Sequence, residues 1–447
     1  MLNGPNLPFD RAFVGLDLPS DATIVAAVSG GGDSVALLAL LRDHLARHRP
    51  DVRQIAATVD HGLRPQSADE AASVGRLAAS LGISHVVRRW LGDKPATGVA
   101  AAARAARYRL LGEIAGEFGA VAILTGHTAD DQAETIAMRR QRGEGRGLAG
   151  MAPASLLDGG VWLLRPLLGV SRAALRRFLV ERRLEWVEDP SNEDDRFERP
   201  RVRRDLTARP DLDDLLALGR AAARDREQLG IRSAAIIRAL ASRPAPGLTR
   251  LGLELLRHPD GDAAVYAMRI LLAEAGGREH LPDALSVHSL LETLAQADGR
   301  RCATLARAVI DRRGDAIFLY RESRNLPRPA PLSHAYVWDG RYRIEGDAGP
   351  GAAIVRPFGR SGGDPEPLAS TPMSILRTAR AAEPALHRAD GDPQLLDGAR
   401  PVAAPWAALL PSFDLAPARA VAELVGVPIP PDPPYHGHSG SDDLTQS

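Results

Sequence analysis

A glycine-rich segment near the start of the chain has the residue types that bind phosphate. It reads Ser29-Gly30-Gly31-Gly32-Asp33-Ser34 and separates a predicted strand, 24–28, from a helix predicted to begin near Val35. Glycines let the backbone approach phosphate oxygens, while free amides at a helix N-terminus and the two serine hydroxyls donate hydrogen bonds to them. This strand-loop-helix context favours a phosphate site over a ligand-free turn. Because the Gly-Lys-Ser/Thr ending of a Walker A loop is missing, γ-phosphate transfer of that type is disfavoured.

A second group consists of carboxylates on a helix predicted to start near Asp130. Glu134 stands one turn from Asp130 and Asp131, so the three carboxylates share a face. Acids that complement the helix dipole would explain the first two residues, but not the whole group. Clustered carboxylates repel one another unless a cation is present, and Mg²⁺ bound together with ATP phosphates would supply it. The loop and the acids together predict a nucleotide and magnesium site.

These groups need a scaffold that brings distant segments together. From residue 22 to about 124, short apolar runs alternate with amphipathic stretches, which predicts an α/β fold with a doubly wound parallel sheet. Such sheets bind ligands at the carboxyl ends of their strands. Asp60-His61 follow the second predicted strand and Gly126-His127 follow the fourth, so both pairs are expected at the ligand edge. The predicted strands are 24–28, 54–59, 84–90 and 120–124, and the predicted helices are 35–46, 68–81 and 99–118.

The rest of the chain is expected to form further domains. Alternation of strands and helices stops near Asp205, and apolar residues at helical spacing then predict a mainly helical domain, 206–325, that ends with a small strand. Three prolines within 325–331 indicate a boundary. A small α+β module, 332–428, should contain a hairpin that turns at Asp339-Gly340, and a Pro-, Gly-, Ser- and Asp-rich tail, 429–447, should be disordered. Residues 1–205 then form the catalytic domain.

Composition narrows the function classes. The N-terminus has no secretory pattern, and no run approaches the about 20 apolar residues that cross a bilayer, so a soluble cytoplasmic protein without a membrane partner is expected. Cys302 is the only cysteine, which excludes an intrachain disulfide and a multi-cysteine metal site. Basic and acidic residues number 56 each, and every basic residue except Lys94 is arginine. Net charge therefore does not indicate whether the protein binds nucleic acid.

Segment 29–34 resembles the SGGxDS signature of the PP-loop ATP pyrophosphatases, which cleave ATP to AMP and pyrophosphate. The resemblance implies that this loop, including Gly32, binds ATP. It places Ser29, Gly30, Gly31 and Ser34 around the pyrophosphate half, and Asp33 near the phosphates and magnesium.

Several other segments resemble the lysidine synthetase branch of this superfamily. Residues 59–64 match its VDHGLR motif and residues 130–135 its DDQxET motif, in the expected order over about residues 24–205. Trp338-Asp339-Gly340-Arg341, continuing to Ile344, resembles the family's C-terminal module. Further matches lie at 103–108, 142–151 and 165–168, and the chain departs from the family pattern at Thr128, Glu144 and Pro200.

The branch resemblance implies a reaction and its substrates. ATP adenylates O2 of the wobble cytidine in the CAU-anticodon isoleucine tRNA, and the ε-amine of free lysine then attacks C2 while AMP leaves. No obligate protein partner is indicated, and a homodimer is compatible with the sequence.

The resulting set of predicted site residues has three parts. Catalysis and metal binding are expected of Asp33, Asp130, Asp131 and Glu134. ATP binding is expected of Ser29, Gly30, Gly31, Gly32, Asp33, Ser34, Asp60, His61, Gly126 and His127, and substrate binding of Arg104, Arg107, Arg142, Arg165 and Arg201. The arginines concentrated between 165 and 204 are expected to follow tRNA phosphates, although a solvated arginine-rich face is the alternative.

Three other functions share parts of this pattern. A base-thiolating tRNA enzyme would activate its base similarly, but the single cysteine argues against sulfur delivery. An amidotransferase-like synthetase would need a glutaminase domain, which is not evident in the sequence. A non-catalytic nucleotide-binding regulator would be expected to lack the acids at 130, 131 and 134, which are present.

Overall fold

The computed structural model describes residues 9–62, 67–143, 145–157, 160–188, 198–208, 212–346, 354–360, 363–388 and 393–436. The chain forms two compact units. Unit 1 comprises Met1–Asp225, Leu409–Ser412 and Asp432–Ser447, and unit 2 comprises Arg226–Ala408 and Phe413–Pro431. None of the helices in these described segments is long and apolar enough to span a membrane.

Unit 1 contains a seven-stranded sheet in which β1 lies between β2 and β4. The strand order is β19-β5-β6-β4-β1-β2-β3, and β1, β2, β3, β4 and β6 run parallel. The predicted doubly wound α/β fold is therefore confirmed. The strands are β1 Thr23–Ala27, β2 Arg53–Asp60, β3 Ser84–Arg89, β4 Ala120–Thr125, β5 Ala154–Leu157, β6 Val161–Leu164 and β19 Leu409–Pro411.

The helices of unit 1 are stabilised by burial of their apolar faces and by side chains that cap their ends. In α1 nine residues, from Ser34 to Leu45, are buried. Thr128 caps α4 by accepting a hydrogen bond from the amide of Asp131, whose side chain accepts one from the amide of Thr128. The capping role explains why threonine suits this position. The helices are α1 Gly32–His48, α2 Ser67–Ser80, α3 Val99–Glu117, α4 Ala129–Gln141, α5 Arg172–Glu181 and α6 Glu198–Ala208, while α7 Leu212–Leu240 begins in unit 1 and ends in unit 2.

The far end of the chain contributes to unit 1 at two places. Strand β19 pairs antiparallel with β5 at the edge of the sheet. Tyr435 is 2% exposed, and its hydroxyl donates to the carbonyl oxygen of Ala12 at 3.0 Å. Tyr435, which lies in the tail expected to be disordered, is thus packed because its ring is an apolar surface to bury; residues 437–447 lie outside the described residues.

Unit 2 combines helices with three antiparallel sheets. Their strand orders are β7-β8-β11-β10-β9, β12-β15-β16-β17 and β13-β14-β18. The largest core cluster of unit 2 packs α8, α9 and α11 on the five-stranded sheet. The helices are α8 Gly261–Gly276, α9 Ala284–Ala295, α10 Met373–Ala381 and α11 Leu415–Val425. The strands are β7 Ala241–Ala245, β8 Leu248–Gly252, β9 Arg301–Leu305, β10 Ala308–Arg313, β11 Ala316–Arg321, β12 Ala330–Pro331, β13 Tyr336–Trp338, β14 Tyr342–Ile344, β15 Ile354–Pro357, β16 Pro384–His387, β17 Gln394–Leu395 and β18 Ala399–Pro401.

One of the hairpin turns of unit 2 was predicted from the sequence, and another was not. The predicted hairpin of β13 and β14 is present, and both Asp339 and Gly340 have positive φ. The range 206–325 also contains a five-stranded sheet, where a mainly helical domain with one strand was expected. The turn between β9 and β10 is formed by Ala306 and Arg307 at φ of 53° and 66°. These residues rarely adopt positive φ, so the sequence carried no hairpin signal there.

Candidate active site

A cleft of about 1250 Å³ in unit 1 lies at the carboxyl ends of β1, β2 and β4. Its walls come from loop 29–34, from Asp60 and His61 after β2, and from 126–131 after β4. This edge includes the point where the sheet reverses its strand order, between β1 and β4, which is where doubly wound sheets bind ligands. The tertiary structure therefore brings the predicted loop and the predicted acids to one cleft.

The glycine-rich loop is held by its own serines. The hydroxyl of Ser34 accepts from the amide of Ser29 at 3.1 Å and donates to the carbonyl oxygen of Gly31 at 2.8 Å. Gly30 has a φ of +92°, a conformation that favours glycine. Helix α1 begins at Gly32, three residues before its predicted start, so Asp33 and Ser34 lie in its first turn. The loop thus ends at a helix N-terminus, as an anion site requires.

Gly126 sets the spacing between the loop and β4. A Cβ atom at this position would lie 2.7 Å from the carbonyl oxygen of Asp33 and 3.1 Å from the Cα of Ser34. Only a residue without a side chain lets the backbone after β4 approach the start of α1 so closely. Gly126 therefore acts as a spacer in the cleft wall, a more specific role than the nucleotide contact predicted from its position.

All four predicted carboxylates contact one arginine, Arg172. Its side chain lies 3.3 Å from Asp33, 3.0 Å from Asp131 and 3.5 Å from Glu134. Its backbone amide donates to Asp130 Oδ2 at 2.7 Å. The mutual repulsion expected among these acids is thus relieved by a guanidinium at the N-terminus of α5.

Two further arginines on α6 complete the cluster. Glu134 is 1% exposed and accepts from Arg199 Nε and Arg203 Nε at 2.7 Å each. Arg199 also donates to Asp131 Oδ1 at 3.1 Å. The i,i+4 spacing of Arg199 and Arg203 puts both on one helix face. These arginines were expected to contact tRNA phosphates, whereas in the structure they and Arg172 contact the acids.

The carboxylates differ in how many of their oxygen atoms are left to bind a metal ion. Both oxygens of Glu134 bind guanidinium groups, and the oxygens of Asp131 bind arginines or the cap of α4. Among the described residues no group of three or more acidic, histidine or cysteine side chains is arranged to hold a metal. Asp33 and Asp130 each accept from an arginine through Oδ2, and their Oδ1 atoms have no arginine partner in the described part of the chain. Since Mg²⁺ typically takes one or two carboxylates plus substrate phosphates, these two residues fit it.

Burial of Asp33 raises the pKa of its carboxyl. Arg172 opposes this effect, whereas the neighbouring charges of Asp131 and Asp130 add to it. The site therefore favours a cation or a proton at Asp33.

The two predicted histidines have neutral rings. Burial first, and then the positive charges of Arg165, Arg107 and Arg104, lower the pKa of His127 well below 6.5. Its Nδ1 lies 2.8 Å from Thr125 Oγ1. Burial first and Arg107 next also lower the pKa of His61. Neither ring carries a positive charge near neutral pH, so both can serve as hydrogen-bonding walls.

Asp60 stabilises the turn after β2. Its Oδ1 accepts from the amide of Gly62 at 2.8 Å. Desolvation raises the pKa of Asp60, but the hydrogen bonds from Gly62 and Ser67 outweigh it and lower the pKa overall. Leu63 and Arg64 of the same motif lie outside the described residues.

The predicted substrate arginines fall into two groups. Arg104, Arg107 and Arg165 surround Tyr108 and His127, and no carboxylate in the described segments pairs with any of them. Arg107 lines the cleft, whereas Arg165 is 4% exposed and donates to the carbonyl oxygen of Ala152 at 2.6 Å.

The other two lie away from this group. Arg142 pairs with Glu198, and Arg201 is exposed beside a small surface pocket with Gln141 and Asp205. Glu144 of the same motif and Arg196 of the arginine-rich segment lie outside the described residues. Only Arg107 of the five predicted substrate arginines borders the cleft directly.

Comparison with known proteins assigns the chain to a family. A family profile described as a PP-loop domain matches residues 10–209. A tRNA(Ile)-lysidine synthase of Mesorhizobium japonicum is 48% identical, over 96% of this chain and 97% of that protein. The chain belongs to the tRNA(Ile)-lysidine synthase family. Proteins of the same name from Rhizobium meliloti and Brucella melitensis are 38% and 43% identical, covering 92% and 75% of this chain and 94% and 76% of their own lengths.

Membership of the tRNA(Ile)-lysidine synthase family confirms two predictions. The resemblance found in segments 29–34, 59–64 and 130–135 identified the family correctly. The chain is accordingly an enzyme, a ligase, and its PP-loop domain implies ATP binding.

Proposed function

We propose that this tRNA(Ile)-lysidine synthase family member joins lysine to C2 of the wobble cytidine of the CAU-anticodon isoleucine tRNA. ATP adenylates O2 of the cytidine, and AMP and pyrophosphate are released. The observation that carries the proposal is the joining of loop 29–34 and the acids of α4 in one cleft. An anion site beside a carboxylate cluster suits a reaction between a nucleotide and an amine.

The loop end of the cleft would bind ATP phosphates. The start of α1 supplies backbone amides, and Ser29 supplies a hydroxyl, that can donate to the leaving pyrophosphate. The Ser34 hydroxyl donates to Gly31 and holds the loop. Asp33 and Asp130 are the residues that would hold Mg²⁺, which would neutralise phosphate charge when bound. Oxygen O2 of cytidine is a poor leaving group until it is esterified, so cleavage of the α-β bond of ATP serves the chemistry.

The β2 side of the cleft suits the base of ATP. Its walls include Ala57, Val59, Ala71 and Leu111, which are apolar, and the neutral imidazole of His61. A nucleobase needs such an apolar slot with a few polar groups for its edge. The opposite side of the cleft, after β4, is lined by charged groups and suits the amine of lysine.

The acids of α4 would recognise the ε-ammonium of lysine. Arg199 and Arg203 donate to Glu134 at 2.7 Å, in positions where a primary ammonium would also donate. Lysine binding then exchanges one cationic donor for another, which avoids leaving a buried carboxylate unpaired. Before it attacks C2 the amine must lose a proton, and a carboxylate of this cluster is the proposed base.

The tRNA would meet Arg104 and Arg107, and the buried charge of Arg165 would add to the positive potential there. Three cations without a carboxylate partner in the described segments attract the polyanionic backbone. Residues 206–325 and 332–428 are proposed to bind other parts of the tRNA.

The deciding experiment measures incorporation of radiolabelled lysine into an unmodified CAU-anticodon isoleucine tRNA transcript, with ATP and magnesium. Label with the wild-type protein, but not with Asp33→Ala, supports the proposal. Glu113→Gln is the matched control, because Glu113 is exposed on α3 and pairs only with Arg109 at the surface. AMP formation without labelled tRNA would support the proposed cleavage of ATP, but would show that this tRNA is not the acceptor of lysine.

A further inference from the structure

Trp90 and Lys94 lie directly behind one residue of the cleft wall. The ring of Trp90 meets that of His61 edge to face, with centroids 6.2 Å apart and planes at 89°. Lys94 Nζ lies 3.9 Å from the Trp90 ring centroid and donates to the carbonyl oxygen of Trp90 at 2.5 Å. His61 lines the cleft, whereas the other two do not. The three side chains form a stack in the order His61, Trp90 and Lys94.

Backbone hydrogen bonds fix the segments that carry His61 and Trp90. The amide of Trp90 donates to the carbonyl oxygen of Asp60, the residue before His61, at 2.8 Å. Asp60 in turn holds the following turn through the amide of Gly62. Because β2 and β3 are adjacent parallel strands, the residues after them are held in register. The backbone of Trp90 is therefore held against the segment that carries His61.

The imidazole of His61 has an unused polar atom. Its Nδ1 is buried and has no hydrogen-bond partner among the described residues. The charged groups around it are Arg107 on α3, Lys94 after β3 and Asp60 on β2, with Arg89 3.6 Å from Asp60. Burial first, then Arg107 and Lys94, lower the pKa of His61 against the effect of Asp60. A neutral imidazole offers one donor and one acceptor, whereas an imidazolium offers only donors.

We propose that Trp90 and Lys94 are positioning residues that orient His61 toward the base of the nucleotide bound in the cleft. The inference rests on the proposed binding of ATP with its base on the β2 side. Trp90 fixes the plane of the imidazole through the edge-to-face contact, and Lys94 fixes Trp90 through its cation-π contact. The Lys94 charge also disfavours protonation of His61, which keeps an acceptor available for an amino group on the base.

The test compares ATP binding by two disruptive and two conservative variants. Lys94→Gln and Trp90→Leu should weaken ATP binding by calorimetry, and raise the KM for ATP, about threefold to tenfold with little change in kcat. Lys94→Arg and Trp90→Phe should retain most of the wild-type affinity. Leu91→Ala is the matched control, since Leu91 is 76% exposed beside Trp90 and should have no effect.

A second readout reports on His61 itself. In ¹³C-histidine NMR spectra of the ATP-free protein, assigned with His61→Gln, Lys94→Gln should raise the pKa of His61, because a nearby positive charge is lost. A packing role alone would leave this titration unchanged. Because Lys94 is the only lysine in the chain, acetylation of the wild-type protein tests the same idea without a substitution. Identically treated Lys94→Arg reports the effect of the modified α-amine.

The outcomes separate this inference from the proposed function. If the wild-type protein binds ATP, and Lys94→Gln leaves both the affinity and the His61 titration at wild-type values, the positioning role is wrong. If the wild-type protein binds no ATP, the proposed function fails, and the inference falls with it. Weakened ATP binding together with a raised His61 pKa supports the inference.

Discussion

Replacing Gly126 with alanine should separate the phosphate loop from the end of β4. The new Cβ would lie 2.7 Å from the carbonyl oxygen of Asp33 and 2.9 Å from its carbonyl carbon, and both are backbone atoms that cannot rotate away. Ordinary contact begins at 3.4 Å, so the two segments must part by about 0.7 Å. Overpacking of this size costs about 1–3 kcal/mol of the free energy of unfolding.

The same displacement should also impair catalysis. A misplacement of about 1 Å near reacting groups costs on the order of a hundredfold in rate, so kcat/KM for ATP should fall tenfold to about a hundredfold. Urea unfolding gives the first quantity, and pyrophosphate release with tRNA and lysine gives the second.

Gly116→Ala is the matched control for this prediction. Gly116 lies in α3, where an added Cβ meets nothing within 4 Å. Alanine there should leave turnover unchanged and stabilise the helix by about 0.5–1 kcal/mol. If Gly126→Ala unfolds at the same urea concentration as the wild type and retains its kcat/KM for ATP, the close approach of β4 to α1 does not set the geometry of the loop.

Three further predictions concern buried charge. Glu134→Gln should lower the free energy of unfolding at neutral pH by about 2 kcal/mol, because two arginines at 2.7 Å lose a charged acceptor. His127→Gln should reduce the loss of stability on acidification, since the unfolded chain takes up a proton near pH 6.5 while the folded ring, with its lowered pKa, does not. Asp339→Asn should cost about 3 kcal/mol, because the side chain is fully buried against Arg307, Arg321 and Arg341, and asparagine still tolerates its φ of 54°.

Each of these predictions has its own comparison. Glu113→Gln, in an exposed i,i+4 pair, should change stability by less than about 0.5 kcal/mol; an equal effect of Glu134→Gln would contradict the role assigned to burial. For His127, the stability of the two proteins is compared between about pH 7.5 and about pH 5. Parallel curves would show that this ring titrates normally. Asp364→Asn removes an exposed ion pair in unit 2, and a cost similar to that of Asp339→Asn would contradict the buried network.

The sequence by itself determined the fold class, the family and the phosphate loop. These follow from local signals: the alternation of apolar runs over 22–124 and the glycines and serines of 29–34. Parallel strands with short crossovers leave few alternative topologies, so segments after strands β1, β2 and β4 had to meet at one edge. The carboxylates of α4 were visible for the same reason, since helical spacing fixes which residues share a face.

Only the tertiary structure decided what neutralises those carboxylates. Arg172, Arg199 and Arg203 are separated from Glu134 by 38 to 69 residues of chain, and no local pattern distinguishes them from other arginines in the same segment. The edge strand Leu409–Pro411 likewise joins β5 from the far end of the chain. Pairings over such distances depend on how whole helices and strands pack. Several arginines of the same charge and size could pair with each carboxylate, and only the folded structure brings particular ones into contact with it.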